Sequence, residues 1–197
     1  MSAGAIGKGI VCASLAAALI WLEPLEGQST APAVPASIRP LLDRGLAYYR
    51  NGEVDSAISV FDEAIRLLPT FARAYVLRGS SYLLKGYYEK ALADFNQAIH
   101  IDPRNAAAYC DRADLKVHFL RRSEDALADS NQAIRLVPNF QRAYFNRGTY
   151  FLERHTYDRA IADFTRAIQL LPNDFSVYGQ RAYAYAKQGD RARTRRC

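Results

Sequence analysis

The chain has 197 residues, half of them apolar and 12% aromatic, with 26 Lys and Arg against 20 Asp and Glu, a formal charge of +6. That is a single globular domain's length and enough apolar material for a packed core, which excludes a disordered or collagen-like chain. Three cysteines, at 12, 110 and 197, make no disulfide framework. Arg191, Arg193, Arg195 and Arg196 concentrate the positive charge in the last seven residues and leave a nearly balanced body. A basic end on a mixed surface gives no ground for nucleic-acid binding by the fold.

From the N-terminus, Lys8 is followed by an uncharged apolar run from Gly9 to Leu22, closed by Glu23-Pro24. A basic start and a short apolar stretch are the parts of a secretory signal. The run has fourteen residues, short of the ~20 a helix needs to cross a bilayer. Export, to a space such as the bacterial periplasm, is therefore expected; the alternative is a retained membrane anchor with the body still outside the cytoplasm. Small residues at Ala31-Pro32-Ala33 and Ser29-Thr30-Ala31 offer two cleavage sites. Cys12 has too little apolar sequence before it for a lipoprotein signal. Gly4-x-x-Gly7-Lys8-Gly9 is half of a phosphate loop, without the upstream Gly, the Ser or Thr after Lys, or a preceding strand.

The body repeats. Prolines at 69, 103, 138 and 172 are spaced 34, 35 and 34; alanines at 57, 91, 126 and 160, and at 64, 98, 133 and 167, keep the same spacings. Arginines fall at 44, 78, 112, 147 and 181. The extra residue of the third unit therefore lies between Arg112 and Ala126, near the 117–123 turn. Each unit reads as two helices. In the second, 72–85 presents Tyr75, Gly79 and Tyr82 at helical spacing, Gly86 breaks it, and 88–101 presents Ala91, Phe95 and Ala98 before Pro103. The small residues let the backbones approach, and proline stops the second helix.

In register, the units read Leu41, Gly45, Tyr48, Ala57, Phe61, Ala64, Pro69; Tyr75, Gly79, Tyr82, Ala91, Phe95, Ala98, Pro103; Tyr109, Ala113, Lys116, Ala126, Ser130, Ala133, Pro138; and Tyr144, Gly148, Phe151, Ala160, Phe164, Ala167, Pro172. A fifth opens with Tyr178, Ala182 and Tyr185. This pattern resembles the tetratricopeptide repeat (TPR) family over roughly residues 38–190. The resemblance implies an all-α fold, a right-handed superhelical α-solenoid of helix-turn-helix repeats. The implied division is 1–37 signal and linker, 38–71 repeat 1, 72–105 repeat 2, 106–140 repeat 3 with the insertion, 141–174 repeat 4, 175–190 a partial fifth repeat or capping helix, and 191–197 a basic, frayed tail.

Two departures from the family pattern carry expectations. Arg replaces the usual Leu before the small residue in all five units, and Asp94, Asp129 and Asp163 precede the second-helix aromatic slot. Ion pairs Arg78–Asp94, Arg112–Asp129 and Arg147–Asp163 follow, as exposed pairs that set register more than stability; Arg44 is expected to lack one because Val60 fills the acidic slot. In repeat 3, Lys116 and Ser130 replace two aromatics, and Phe119 is the expected filler.

No HExxH, CxxC or GxSxG occurs, and no catalytic residue, cofactor or metal is expected. Cys110, Asp114 and His118 share a helix face, but Cys110 and His118 would stand ~12 Å apart at ~1.5 Å per residue; a solvated polar patch is the favoured reading. The resemblance implies that the concave face of first helices holds a peptide or helix of a partner protein. By position that face is Arg39, Leu42, Leu46 and Tyr49; Arg73, Val76, Ser80 and Leu83; Ala107, Cys110, Asp114 and Val117; and Arg142, Phe145, Thr149 and Leu152. The Lys and Asn that grip acidic chaperone tails in one subfamily are replaced by Leu42, Leu46 and Leu77. The expectation is an exported, non-catalytic interaction scaffold, or alternatively an accessory subunit of an envelope secretion or cell-wall complex. Its partner is a protein, not nucleic acid, with membrane contact only through the N-terminal segment.

Overall fold

A computed structural model describes residues 34–120 and 123–194. The signal, its cleavage sites, Cys12 and Cys197 lie outside them. Every regular element among the described residues is a helix: α1 (Arg39–Arg50), α2 (Val54–Leu67), α3 (Ala72–Leu84), α4 (Tyr88–Ile101), α5 (Ala106–His118), α6 (Ser123–Leu136), α7 (Gln141–Glu153), α8 (Tyr157–Leu170) and α9 (Phe175–Thr194). This is an all-α helical-repeat solenoid. The chain divides into two compact units after Pro69, the first holding the α1/α2 hairpin and the second α3 to α9.

Three-residue turns join α1 to α2, α3 to α4 and α7 to α8, whereas 119–122 joins α5 to α6 and so contains the extra residue. The regular turns close with an amide reaching back five residues, Glu53 to Tyr48, Tyr87 to Tyr82 and Thr156 to Phe151, each at 2.9 Å. That closure needs a left-handed residue, supplied by Gly52, Gly86 and, at φ 55°, His155. Asn105 caps α5, its side chain accepting from the Ala108 amide at 3.0 Å.

Within each hairpin the core is an aromatic set against a small residue. Phe61, Phe95 and Phe164 are wholly buried, and their rings occupy the space a Cβ would take at Gly45, Gly79 and Gly148. Repeat 3 solves the packing differently: Ala113 and Ser130 face that slot, both buried. Phe119 does not fill it. It stacks on Tyr88 with ring centroids 4.8 Å apart and joins Phe95 and Leu115 in the joint between α4 and α5, because it closes α5 as its C-cap, its amide donating to the Leu115 carbonyl at 3.1 Å, beside the second helix of the preceding repeat. The Ala113 methyl takes part of the room instead.

The arginine row forms as a ladder. Nε and Nη2 of Arg78, Arg112 and Arg147 grip both oxygens of Asp94, Asp129 and Asp163 at 2.5–2.9 Å. These pairs are not exposed: the three Asp are 4–6% accessible, so they are buried bidentate contacts rather than weak surface pairs. Nη1 of Arg112 and Arg147 reaches back to Asn96 and Asn131 of the preceding repeat, at 2.7 and 2.9 Å, tying neighbouring hairpins together. The Asp163 hydrogen bond is the main cause that holds the Arg147 pKa above its usual value. In repeat 3, Lys116 adds a third contact to Asp129 at 2.8 Å, which explains a cation in an aromatic slot. Arg44 does find a carboxylate, Glu63 at 2.9 Å, one helical turn beyond Val60.

The α9 helix covers the end of repeat 4 with Val177 and Ala184, both wholly buried against Leu152, Phe164 and Ile168. It is longer than the expected 175–190 segment and continues to Thr194. No second helix among the described residues folds back on it to demand a turn, so the helical hydrogen bonding runs on through Gly189.

Candidate functional site: the first-helix face

In the second unit, α3, α5 and α7 lie side by side, and residues three and four apart on each share a common face. Packing rather than exposure governs much of it. On α3, Val76 is buried with Ala98 and Ala108, Ser80 donates to the Val76 carbonyl at 3.0 Å, and Leu83 leans on the Phe95–Leu115 cluster. Arg73, Ser80 and Leu83 remain half-buried. On α7, Thr149 donates to the Phe145 carbonyl at 3.0 Å, Phe145 is half-buried with its ring 5.9 Å from that of Phe164, and Leu152 belongs to the repeat 4 core. In the first unit, Leu42, Leu46 and Tyr49 are buried and Arg39 is exposed.

The α5–α7 joint carries a buried ion pair. Arg142 donates to Asp111 Oδ1 at 2.6 Å, both side chains at most 13% exposed. Asn146, 1% exposed, donates to the Cys110 carbonyl at 3.1 Å and lies 3.6 Å from its Sγ. Cys110, Asp114 and His118 are thus no solvated patch: Cys110 is wholly buried, Asp114 is 8% exposed, and Asp114 meets His118 Nε2 at 3.5 Å. Among the described residues, no three His, Cys, Asp or Glu side chains converge to hold a metal. Asp111 and Asn146 are neighbours of the candidate face that repeat spacing does not reveal, because they join first helices of different repeats.

Burial sets the protonation of this joint. It pushes the Cys110 thiol up to about 12, with Arg142 only partly offsetting it, so the sulfur is an inert thiol rather than a nucleophile. Burial also raises the Asp111 carboxyl above its usual range although Arg142 pulls it down. For Arg142 burial acts downward, but Asp111, Cys110 and Asp114 outweigh it and hold the guanidinium protonated. The joint is a structural clasp. The surface beside it is mixed and partly exposed.

Similarity to known proteins follows the geometry. A family model described as tetratricopeptide repeat matches residues 42–106 and 119–175, more than half of the chain. A comparison with curated protein sequences finds no match. Among solved structures, the chain is similar to TTC0263, a thermophilic TPR protein of Thermus thermophilus, at 22% identity and TM-score 0.68, covering 77% of this chain and 83% of that one. It is similar to YrrB, a TPR protein with an unusual peptide-binding site, at 22% identity and TM-score 0.61, covering 78% and 79%. It is also similar to the first TPR of Spaghetti (RPAP3) bound to the HSP90 peptide SRMEEVD, at 24% identity and TM-score 0.57, covering 60% and 93%. The repeat register, the helix pairs and the matching family model together place this chain in the tetratricopeptide repeat family.

Proposed function

We propose that the protein is a non-catalytic scaffold that holds an extended peptide or a helix of a partner protein on the face of α3, α5 and α7. The observation that carries this reading is the Arg142–Asp111 and Asn146–Cys110 clasp. A buried, hydrogen-bonded joint fixes the spacing of adjacent first helices, which a preorganised binding surface requires. Beside it, Arg73, Ser80 and Leu83 offer one charge, one hydroxyl and an apolar contact. Peptide binding by YrrB and by the Spaghetti domain supports the same use of a shared fold. The ligand chemistry differs from an acidic chaperone tail, since Leu42, Leu46 and Leu77 are buried apolar residues where that clamp places Lys and Asn.

We further propose that residues before 38 direct export, so that the repeats work outside the cytoplasm. No helix among the described residues is long and apolar enough to cross a membrane. Intact mass of the exported chain decides between cleavage after Ala31, cleavage after Ala33, and retention.

The groove is tested by affinity capture with the exported chain and with Arg73→Glu and Ser80→Arg, followed by direct binding of each captured protein. Both changes should weaken the same partner while circular dichroism stays unchanged. Equal binding by both variants rejects the face.

A further inference from the structure

The α9 helix carries the inner face of a first helix with nothing of the described chain folded onto it. In α3, α5 and α7 that face is Tyr75-Arg78-Gly79, Tyr109-Arg112-Ala113 and Tyr144-Arg147-Gly148, each covered by the second helix of its own repeat. In α9 it recurs as Tyr178, Arg181 and Ala182, with Tyr185 one turn on. Tyr178 and Tyr185 are 37% and 53% exposed, while the equivalents of Tyr185, Tyr82 and Phe151, are half-buried. Gly189 stands in register with the turn residues Gly52, Gly86 and His155, yet α9 runs through it to Thr194. Residues 190–194 therefore lie in line with α9 and do not cover it.

Arg181 is already half-engaged. Its guanidinium sits 5.6 Å over the Tyr178 ring, as Arg78, Arg112 and Arg147 sit 5.5–5.6 Å over Tyr75, Tyr109 and Tyr144. Nη1 reaches Thr165 Oγ1 at 3.3 Å, two residues past Asp163, as Arg112 and Arg147 reach Asn96 and Asn131, two residues past Asp94 and Asp129. The Nε–Nη2 edge, which in the other three takes both oxygens of an Asp, has no carboxylate among the described residues. Charge complementarity thus asks for a carboxylate on whatever covers this face.

Size restricts the occupant further. A Cβ at Gly79 or Gly148 would stand 2.7 Å from the facing Phe Cε1. Where the small residue is Ala113, the chain places Ser130 opposite. Ala182 is of the second kind.

We propose that this uncovered face of α9 docks an amphipathic helix of another protein carrying Asp followed directly by a small residue, with Ala three before the Asp and three after the small residue. The chain's own α6 has this form, Ala126-x-x-Asp129-Ser130-x-x-Ala133. The surface is separate from the α3–α5–α7 face and does not depend on it.

The test titrates the full chain into a fluorescein-labelled peptide of residues 123–138 and follows anisotropy. Saturable binding is expected, about tenfold or more weaker for the Asp129→Asn and Ser130→Phe peptides. Arg181→Gln in the protein should weaken the parent peptide equally and remove the difference between Asp and Asn. Ala182→Gly should restore the Ser130→Phe peptide. Both positions lie on the uncovered face, and Tyr185→Ser gives a third variant should either disturb folding. No saturable binding, binding indifferent to Arg181, or preference for the Phe peptide by the Ala182 protein would overturn the proposal. So would Arg181-dependent self-association in sedimentation equilibrium, which would assign the face to a second copy.

Discussion

A Cβ added to Gly79 would lie 2.7 Å from Phe95 Cε1, so the small residue on the first helix and the ring on the second are a single structural choice. The same choice is made at Gly148 and Phe164. Gly79→Ala should gain ~1 kcal/mol of helix propensity but force a rigid, wholly buried ring to move, at a cost of ~1–3 kcal/mol. The expected net is a loss of stability in urea unfolding. At Gly179, where no atom lies within 4 Å, the same substitution should stabilise by ~0.5–1 kcal/mol. Opposite signs for one chemical change isolate packing as the cause.

Repeat 3 makes the complementary case. Ser130→Phe alone should destabilise by ~1–3 kcal/mol, because Ala113 leaves the ring no room. Adding Ala113→Gly recreates the Gly79–Phe95 arrangement, and the double variant should be more stable than the two separate losses predict, with a coupling of ~1–3 kcal/mol. Strict additivity in a double-mutant cycle would refute the link between the two positions.

What the sequence reveals here is whatever repeats. The period exposes the hairpins, the Arg–Asp ladder and the site of the inserted residue, because each recurs in register and only one helix pairing satisfies all copies. Exceptions are harder to read. Arg44 meets Glu63 because an arginine reaches across a full helical turn, so a rule confined to the Val60 slot misses it. Phe119 meets Tyr88 across the joint with the preceding repeat, and Cys110 is buried by α7; no spacing within one helix can disclose either contact. Of the proposed binding face, the positions follow from the register, but their burial depends on contacts between first helices of different repeats.

Asp129 holds three hydrogen bonds from two cations, Arg112 and Lys116, where Asp163 holds one arginine. Removing the carboxylate strands buried positive charge, at ~3–5 kcal/mol for a buried pair. Asp129→Asn should therefore cost more than Asp163→Asn in the same denaturation experiment. Glu63→Gln, whose pair with Arg44 is 41–52% exposed, should cost less than ~1 kcal/mol. Equal losses at all three would mean that burial does not set the strength of the ladder.

Cys110 gives the pH signature of the α5–α7 joint. Burial raises its thiol from an ordinary value of 9.0 to about 12, so between those values the unfolded chain releases the proton while the folded chain retains it. The unfolded state then binds fewer protons, and stability falls as pH rises through this window. Cys110→Ser keeps an acceptor near Asn146 but does not titrate there, and should lose less stability than the parent between pH 9 and 12. In a Cys12→Ser, Cys197→Ser background, the remaining thiol should resist iodoacetamide at about pH 8, near the ordinary thiol range, in the folded chain and react once guanidinium unfolds it. Rapid alkylation of the folded chain would show that α5 and α7 separate readily, and the clasp would lose its claim to hold the binding face in shape.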